Sequence, residues 1–487
     1  MSETVPLPTP ATSAAAHRRD PRTLALLTLC AGVLMIILDT TIVSVAQPSI
    51  QADLGFSPSG LAWVVNAYLI PFGGLLLLAG RLGDLLGRRR VFLAGLALFT
   101  LASLLCGLAT SQGTLIAARF LQGAGGALTS AVVLGMIVAM YDDQRERTRA
   151  IAVYAFVGSA GASLGTVLGG VLTDLLSWHW IFFVNLPIGV ATLLAARRWV
   201  GDDAGLGLRE GADAPGALLI VAALMLAVYA LVGAGEHGWG STRTLGLGAL
   251  SALLLAAFVA RERGARQPLV PLRLFAVRNV AAANLVQTVM IAGMFGQQFF
   301  IALYLQLVLG WSPTEVGLGM VPIALTIGLF SLGLSARMIE RAGAKGVLVG
   351  GLLLIAAGLL LMQRAPVDGV YWRDVLPALL VMGAGAGIAM PALPTLALAD
   401  ATPADAGLAS GLLNTTQQVG AAIGVSLLAS LAASRSETLR GEGRAALDAL
   451  ASGYSLAFAV AAGLALAAAG LAVTLLTGAP RSSSRRR

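Results

Sequence analysis

Two long apolar runs of the chain flank the segment Gly80-Arg81-Leu82-Gly83-Asp84-Leu85-Leu86-Gly87-Arg88-Arg89-Arg90. Each run is about 20 residues long, the length that an α-helix needs to cross the hydrocarbon layer of a membrane. The glycines of the segment allow a tight turn and close helix approach, and its carboxylate can form charge-assisted hydrogen bonds with the arginines. The segment therefore predicts a charged hairpin between two membrane-spanning helices, with a plain charged turn as the simpler interpretation.

The composition of the whole chain supports a membrane protein and argues against an enzyme. The 487 residues are 57% hydrophobic and 11% charged, whereas about 25% of an average soluble domain is charged. The two cysteines lie within apolar runs, and His17, His179 and His237 show no metal-ligand spacing. There is also no Gly-x-x-x-x-Gly-Lys-Ser/Thr loop for ATP. We therefore expect no catalysis, metal, cofactor or direct use of ATP.

Apolar stretches of spanning length recur fourteen times along the chain. The predicted spans are 24–46, 60–79, 91–110, 114–140, 150–173, 180–199, 214–234, 244–260, 280–309, 315–337, 346–364, 374–398, 407–432 and 454–477. An even number of spans puts both termini on the same side of the membrane. The fold class is therefore an all-α integral membrane protein.

The positions of the basic residues predict which side that is. The two tails and the loops after spans 2, 4, 6, 8 and 10 carry 25 of the 32 Lys and Arg residues. Such an excess is typical of cytoplasmic segments, so we expect both termini in the cytoplasm. Membrane orientation explains the net charge of +8 better than binding to nucleic acid does.

The order of the spans predicts two six-helix bundles with a helix pair inserted between them. The predicted boundaries are a disordered cytoplasmic tail at 1–22, an N-terminal bundle at 23–200, the inserted pair at 201–265, a C-terminal bundle at 266–478 and a basic cytoplasmic tail at 479–487.

Several motifs resemble those of the fourteen-span drug:proton antiporters of the major facilitator superfamily, and together they cover most of the chain. They are the Gly80–Arg90 loop, Leu38–Pro48 in span 1, Arg119–Gly125 in span 4, Trp178–Pro187 after span 5 and Gly407–Asn414 in span 13. Four positions depart from the family pattern: Leu85 replaces a basic residue, Thr166 replaces the proline of a Gly-Pro pair, and Ser44 and Gln47 differ from the commonest residues of the span 1 motif.

The resemblance implies a transporter of a bacterial cytoplasmic membrane that works by alternating access, takes its energy from a proton gradient and has no cofactor. It also implies that the Gly80–Arg90 loop controls conformational change. The residues expected to do so are Gly80, Asp84, Gly87, Arg88 and Arg89.

Asp39 and Arg119 are ionisable residues that lie inside predicted spans, several residues away from the span ends. A charge in a span costs at least about 2.5–3.5 kcal/mol, so each requires a partner or a function. Span 1 runs outward and span 4 inward, which puts both residues at a similar depth, about 10 Å or less from the outer boundary. We expect Asp39 to carry the coupling proton and Arg119 to control its release. A static ion pair that fixes helix register is the alternative.

The glycines of span 5 form one face at helical spacing. This face consists of Gly158, Gly161, Gly165 and Gly169, and it predicts close packing against a helix of the other half. Ordinary small-residue packing is the simpler interpretation.

Polar and aromatic side chains in four spans could line a central substrate cavity. They are Trp63, Asn66, Gln122, Gln287, Met294, Gln298, Asn414 and Gln418. Uncharged amides beside aromatic and thioether surface suit a lipophilic substrate, which could be cationic or zwitterionic, since no buried cluster of positive charge is present for a strongly anionic one. Each amide could instead bond two helices together.

The expected function is proton-coupled export of lipophilic drugs or toxic small molecules by a monomer. Dedicated export of one metabolite, such as a self-made antibiotic, uses the same fold and is the alternative. A membrane sensor or assembly partner that transports nothing is the alternative from another class, but it would predict a sizeable soluble domain, and the spans leave no room for one.

Overall fold

The structure is a computed structural model that describes residues 21–141, 143–203, 205, 207, 213–265, 268–269, 272–398 and 406–477. All secondary structure in these ranges is helical. The predicted tails lie outside them, except for residues 21 and 22.

Six helices form the first half of the chain, and two more follow. The six are α1 (Pro21–Leu54), α2 (Ala62–Leu86), α3 (Arg88–Gly107), α4 (Gln112–Met140), α5 (Gln144–Leu175) and α6 (Trp180–Trp199), and the following pair is α7 (Ala214–His237) and α8 (Thr242–Gly264). A short turn, Trp180–Phe183, begins α6 and is followed directly by its main part, Asn185–Trp199.

The second half contains six further helical units. They are α9 (Arg278–Val308), α10 (residues 313–342), α11 (Ala344–Gln363), α12 (Tyr371–Val375 and Leu376–Leu398), α13 (Ala406–Gly441) and α14 (Ala446–Leu475). Four successive segments make up α10: Pro313–Gly319, Val321–Leu329, Phe330–Ser335 and Ala336–Ala342. Before α9 there is one short turn, Leu272–Ala276.

The structure therefore places helices at all fourteen predicted span positions. Within the described residues, eleven helices are long and apolar enough to cross a membrane, and α2 is the twelfth if its two bent halves count as one span. The other two positions hold the 32-residue α5 and the segmented α10. The chain is a multi-pass membrane protein of the predicted all-α class.

Each half packs as one bundle. In the first half α4 lies against α2 and α3, and α1 lies against α5 and α6; in the second, α9 packs on α13 and α14, and α11 packs on α12. The halves meet where α2 contacts α13, α5 contacts α10 and α1 contacts α9. The inserted helix α7 touches both α2 and α13, and α8 packs on α7.

We call the end of the molecule where α1 begins and α14 ends the terminal face, and the other end the opposite face. Two bonds join the halves toward the opposite face: Thr314 Oγ1 donates to Asp174 Oδ2 at 2.9 Å, and Gln306 Nε2 donates to the carbonyl of Val45 at 2.7 Å.

The two helices of the inserted pair are joined by hydrogen bonds to Asp213, directly before α7. The carboxylate of Asp213 accepts hydrogen bonds from the Gly216 amide at 3.0 Å and from Arg261 Nε at 2.7 Å. Burial acts to raise the pKa of Asp213, but the bonds from Arg261 and Gly216 outweigh it, so the pKa is lowered. An ionised carboxylate therefore ties the start of α7 to the end of α8.

Candidate functional site

A buried ion pair joins α1 to α4. Arg119 Nη1 lies 2.5 Å from Asp39 Oδ2, and the two side chains are 1% and 0% exposed. The similar depth that the sequence predicts for the two residues is accompanied by a direct contact between their side chains. Pairing offsets the cost of burying two charges, and an isolated charge at this position would be strongly unfavourable.

Amide side chains complete the surroundings of both charges. Gln122 Nε2 donates to Asp39 Oδ1 at 2.7 Å, while Gln122 Oε1 accepts from Arg119 Nη1 at 2.8 Å. Asn185 Nδ2 also donates to Asp39 Oδ1, at 3.0 Å. Arg119 Nε donates to the carbonyl of Val64 at 2.9 Å. Every described contact of the Asp39 carboxylate is thus with a donor, which is the arrangement that suits its ionised form.

Three residues of this network were not predicted as site residues. Asn185 lies in the Trp178–Pro187 motif, which indicates the family but gives Asn185 no role. Ser103 Oγ accepts from Gln122 Nε2 at 2.8 Å, but a serine within an apolar run gives no sequence signal. The ring of Tyr68 lies 4.5 Å from the Arg119 guanidinium carbon and adds a cation–π contact.

A cavity of about 560 Å³, including the space at its mouth, lies between the two halves beside this network. Its wall contains residues of α1, α2, α4, α9 and α13: Thr40, Thr41, Ser44, Gln47, Val65, Tyr68, Leu69, Arg119, Phe295, Gln298, Phe299 and Val425. Arg119 therefore touches both Asp39 and the cavity. Of the eight residues predicted to line a cavity, Gln298 does so.

The other predicted cavity residues have different surroundings. Gln122 belongs to the Asp39 network. Asn66 Nδ2 bonds Ser426 Oγ across the halves at 2.8 Å, and the Trp63 ring lies 6.2 Å from that of Tyr229 in α7. Gln418 packs against Gly73 of α2. Gln287 is buried, Met294 is half-buried and Asn414 is exposed. Their predicted role in the cavity is not supported in this conformation, because several of these side chains join helices instead.

The Gly80–Arg90 loop forms the sharp connection between α2 and α3 at the terminal face. Gly87 has a φ of 95°, which favours glycine, and it lies between the two helices. Arg88 Nη2 lies 3.1 Å from Asp84 Oδ1, so the predicted charge pairing within the loop is present. Gly80 has open space around it.

The segment that follows α6 makes hydrogen bonds and an ion pair with this loop. The carboxylate of Asp203 accepts from the backbone amides of Arg88 and Arg89 at 2.6 and 3.1 Å, and so caps the start of α3. The Arg89 guanidinium pairs with Asp202. Leu85, which stands where the family has a basic residue, is buried, and its carbonyl accepts from Gly207 at 2.9 Å. The loop is thus tied to the segment that leads into the inserted pair.

The glycine face of α5 packs against a different helix from the one predicted. Cβ atoms placed on Gly161, Gly165 and Gly169 would lie 2.8 Å from Leu34, 1.9 Å from Thr41 and 2.6 Å from the carbonyl of Ile42. All three contacts are with α1 of the same half. The predicted partner was wrong, because helical spacing identifies a small-residue face without identifying the neighbour that it meets. The surroundings of Gly158 lie outside what the structure describes.

The neighbouring face of α5 makes the contact with the other half. A Cβ on Gly170 would lie 2.3 Å from the carbonyl of Pro313 in α10, and one on Gly317 would lie 2.5 Å from the carbonyl of Thr166. The residue that replaces the family's proline, Thr166, therefore lies at the contact between the halves.

Substitution of Gly169 by alanine is expected to lower the thermal stability of the purified protein by several degrees. The added methyl group would meet backbone atoms of Ile42, which cannot move without shifting α1. Gly463 of α14 is the matched control, since a Cβ there meets nothing within 4 Å. Equal melting temperatures for Gly169→Ala and Gly463→Ala in detergent would show that α1 and α5 are not in this close contact.

No group of three or more His, Cys, Asp and Glu side chains that could hold a metal ion occurs in the part of the chain that the structure describes. The buried ion pair beside the cavity is that of Asp39 and Arg119.

Comparisons with known proteins identify relatives by sequence and solved structures of similar fold. The chain is 39% identical over 475 residues to the puromycin resistance protein of Streptomyces alboniger, covering 96% of this chain and 94% of that protein. It is 40% identical over 408 residues to the cephamycin export protein of Amycolatopsis lactamdurans, covering 83% and 84%. Among solved structures, an auto-inhibited peptide transporter of the POT family superposes with a TM-score of 0.66 at 15% identity, covering 93% of this chain and 97% of that one.

The sequence profile of the Major Facilitator Superfamily matches residues 29–425 and 284–487. This match covers far more than half of the chain, the relatives align over almost their full length, and the fold is the expected pair of helical bundles. The chain belongs to the major facilitator superfamily of membrane transporters.

Proposed function

We propose that this protein is a proton-driven secondary transporter that exports small lipophilic molecules by alternating access. The observation that carries the proposal is the buried Asp39–Arg119 pair, because Arg119 is also among the residues that line the cavity between the halves. An ionisable carboxyl at this position can bind a proton, and its arginine can transmit the change to the substrate site.

The proposed cycle follows from these contacts. When Asp39 is ionised it holds Arg119, Gln122 and Asn185 in one arrangement. Protonation removes the charge that pairs with Arg119, so the guanidinium must find another acceptor and the wall of the cavity changes. Export against a gradient requires that proton and substrate occupy the protein alternately, so that each favours the departure of the other.

The proposed location is a bacterial cytoplasmic membrane, with both termini in the cytoplasm. The support is the excess of basic residues, 25 of 32, in the tails and in the loops on the same side. In this orientation the Thr314–Asp174 and Gln306–Val45 bonds join the two halves toward the outer side of the membrane. We propose further that the protein works as a monomer, without a cofactor and without nucleic acid, and that its partners are protons, lipid and its substrate.

The breadth of substrates separates two versions of the function. The names of the two relatives, puromycin resistance and cephamycin export, favour a dedicated exporter of one antibiotic, whereas a cavity with both aromatic and polar walls also suits a range of drugs. A resistance panel in a sensitive bacterial host, including puromycin and a cephamycin, tests both. Broad protection supports multidrug export, and protection from one compound supports dedicated export. If no compound were tolerated better than in cells that carry the Asp39→Asn variant, the proposed function would be wrong, and a sensor would be the better account.

A further inference from the structure

Three hydroxyl groups of α1 form one side of the cavity, those of Thr40, Thr41 and Ser44. Each gives its proton to a carbonyl of its own helix. Thr40 and Thr41 donate to Ile37 at 2.8 and 3.0 Å, and Ser44 donates to Thr41 at 2.6 Å. A hydroxyl has one proton and two lone pairs. With the proton engaged inside the helix, each group offers the cavity an acceptor only.

Gln47 extends this row by one further turn. Its side chain is 1% exposed and forms part of the cavity wall. Among the described residues, nothing donates to its Oε1 atom. An orphaned buried acceptor is unfavourable until a donor reaches it. The Thr41 oxygen packs against Gly165 of α5, so we call Thr40, Ser44 and Gln47 the acceptor row, and at 1.5 Å per residue it is about 10 Å long.

The wall contributed by the second half contains two aromatic rings beside Gln298 and Val425. Phe295 and Phe299 of α9 line it, and Tyr68 of α2 adds a third ring. Flat aromatic molecules pack well against such surfaces. A ligand held there would have one edge available to the acceptor row.

The charged groups near the cavity limit the charge that a ligand can carry. Arg119 is the charged residue of the cavity wall, while Asp39 is 0% exposed and its oxygens are occupied by donors. A cation would therefore find no accessible carboxylate. An anion would have to compete with the Asp39 carboxylate for Arg119.

We propose that the cavity selects uncharged planar aromatic molecules that carry hydrogen-bond donors, such as phenolic hydroxyls or aryl amines, along one edge. This selectivity rests on the proposed export function, because it describes the substrate of the same cavity. The acceptor row binds the donors, and the phenylalanines of α9 bind the ring system.

Equilibrium binding to the full-length protein in detergent, without a pH gradient, tests the selectivity. The probes are a fluorescent naphthalenediol and its dimethyl ether, which share one ring system but differ in donors. A naphthalene that carries a trimethylammonium group is the third probe. Fluorescence anisotropy is expected to show the diol binding about tenfold more tightly than the ether, as two additional hydrogen bonds would give. The cation is expected to bind more weakly than the diol.

A variant of the acceptor row makes the test specific. Thr40→Val with Ser44→Ala removes two acceptors and little volume, so the diol should lose about tenfold in affinity while the ether is unchanged. Thr192→Val is the matched control. Thr192 is buried in α6 and also donates within its own helix, to Ile188 at 2.7 Å, but it is not part of the cavity wall.

Three results would overturn the inference: equal binding of diol and ether, equal losses for both probes in the acceptor-row variant, or no binding of either probe. The outcome is independent of proton coupling. If transport were insensitive to a pH gradient but the diol preference were present, the proposed function would fail and the selectivity would stand. If transport were proton-driven but the diol preference were absent, the selectivity alone would fail.

Discussion

Replacement of Arg119 with methionine is expected to destabilise the folded protein by about 3–5 kcal/mol, because it leaves the Asp39 carboxylate buried without its counterion. The carboxylate would keep its bonds from Gln122 and Asn185, but neither amide carries a charge. Thermal unfolding of purified protein in detergent measures the effect. The exposed Arg373, which pairs with Asp374, is the control, and Arg373→Met should leave the melting temperature nearly unchanged.

The double variant Asp39→Asn with Arg119→Met distinguishes the pair from simple loss of packing. Removal of both charges takes away the uncompensated one, so the double variant should be more stable than Arg119→Met alone. If the two substitutions destabilised additively, the two side chains would not be energetically coupled, and the ion pair would not describe the folded protein in the membrane.

The second large effect is expected on the coupling of transport to the proton gradient, when Asp39 is replaced. Asparagine at position 39 cannot take up or release a proton, so Asp39→Asn should abolish transport driven by a pH gradient. Exchange of labelled for unlabelled substrate across the membrane requires no net proton movement and should persist. Reconstituted vesicles measure both rates in the same preparation. Retention of full gradient-driven transport by Asp39→Asn would assign the coupling proton to another group.

Two further variants separate a loss of proton coupling in Asp39→Asn from a loss of folded protein. Asp53→Asn changes a carboxylate of the same helix that accepts from Trp178 at 2.9 Å away from the cavity, and it should keep the response to pH. The double variant Asp39→Asn with Arg119→Met should recover folded yield without recovering that response. Recovery of both would mean that Asp39 has only a structural role.

The features that sequence reasoning located best are those set by membrane physics. A spanning helix requires a long apolar run, so the positions of the helices follow from the sequence. A buried charge requires a partner, and the shared depth of Asp39 and Arg119 led to the pair. Their role in proton coupling stays a prediction, because an ion pair in one conformation is compatible with both a static and a dynamic role.

The features that were missed depend on which helices become neighbours. The spacing of Gly161, Gly165 and Gly169 revealed a close contact but not that α1 makes it. Asn66 had the polarity expected of a cavity residue, yet it bonds Ser426 between the halves. Asn185 lies near a helix start and is itself uncharged, and only the folded arrangement brings it to Asp39.

The α2–α3 loop shows the same limit. Its internal Arg88–Asp84 pair follows from residues four apart in sequence, which makes it accessible to motif reasoning. The cap from Asp203 comes from a segment more than a hundred residues away, and no local pattern marks it.

The most direct test of the account is transport by the purified native protein in vesicles with an imposed pH gradient. The probe is the compound that gives the largest protection in the resistance panel. With the side opposite the termini made acidic, the account predicts net movement of the probe toward that side, accompanied by proton movement the other way, and collapse of both when a protonophore is added. Probe movement that is unaffected by the protonophore would contradict proton-driven export.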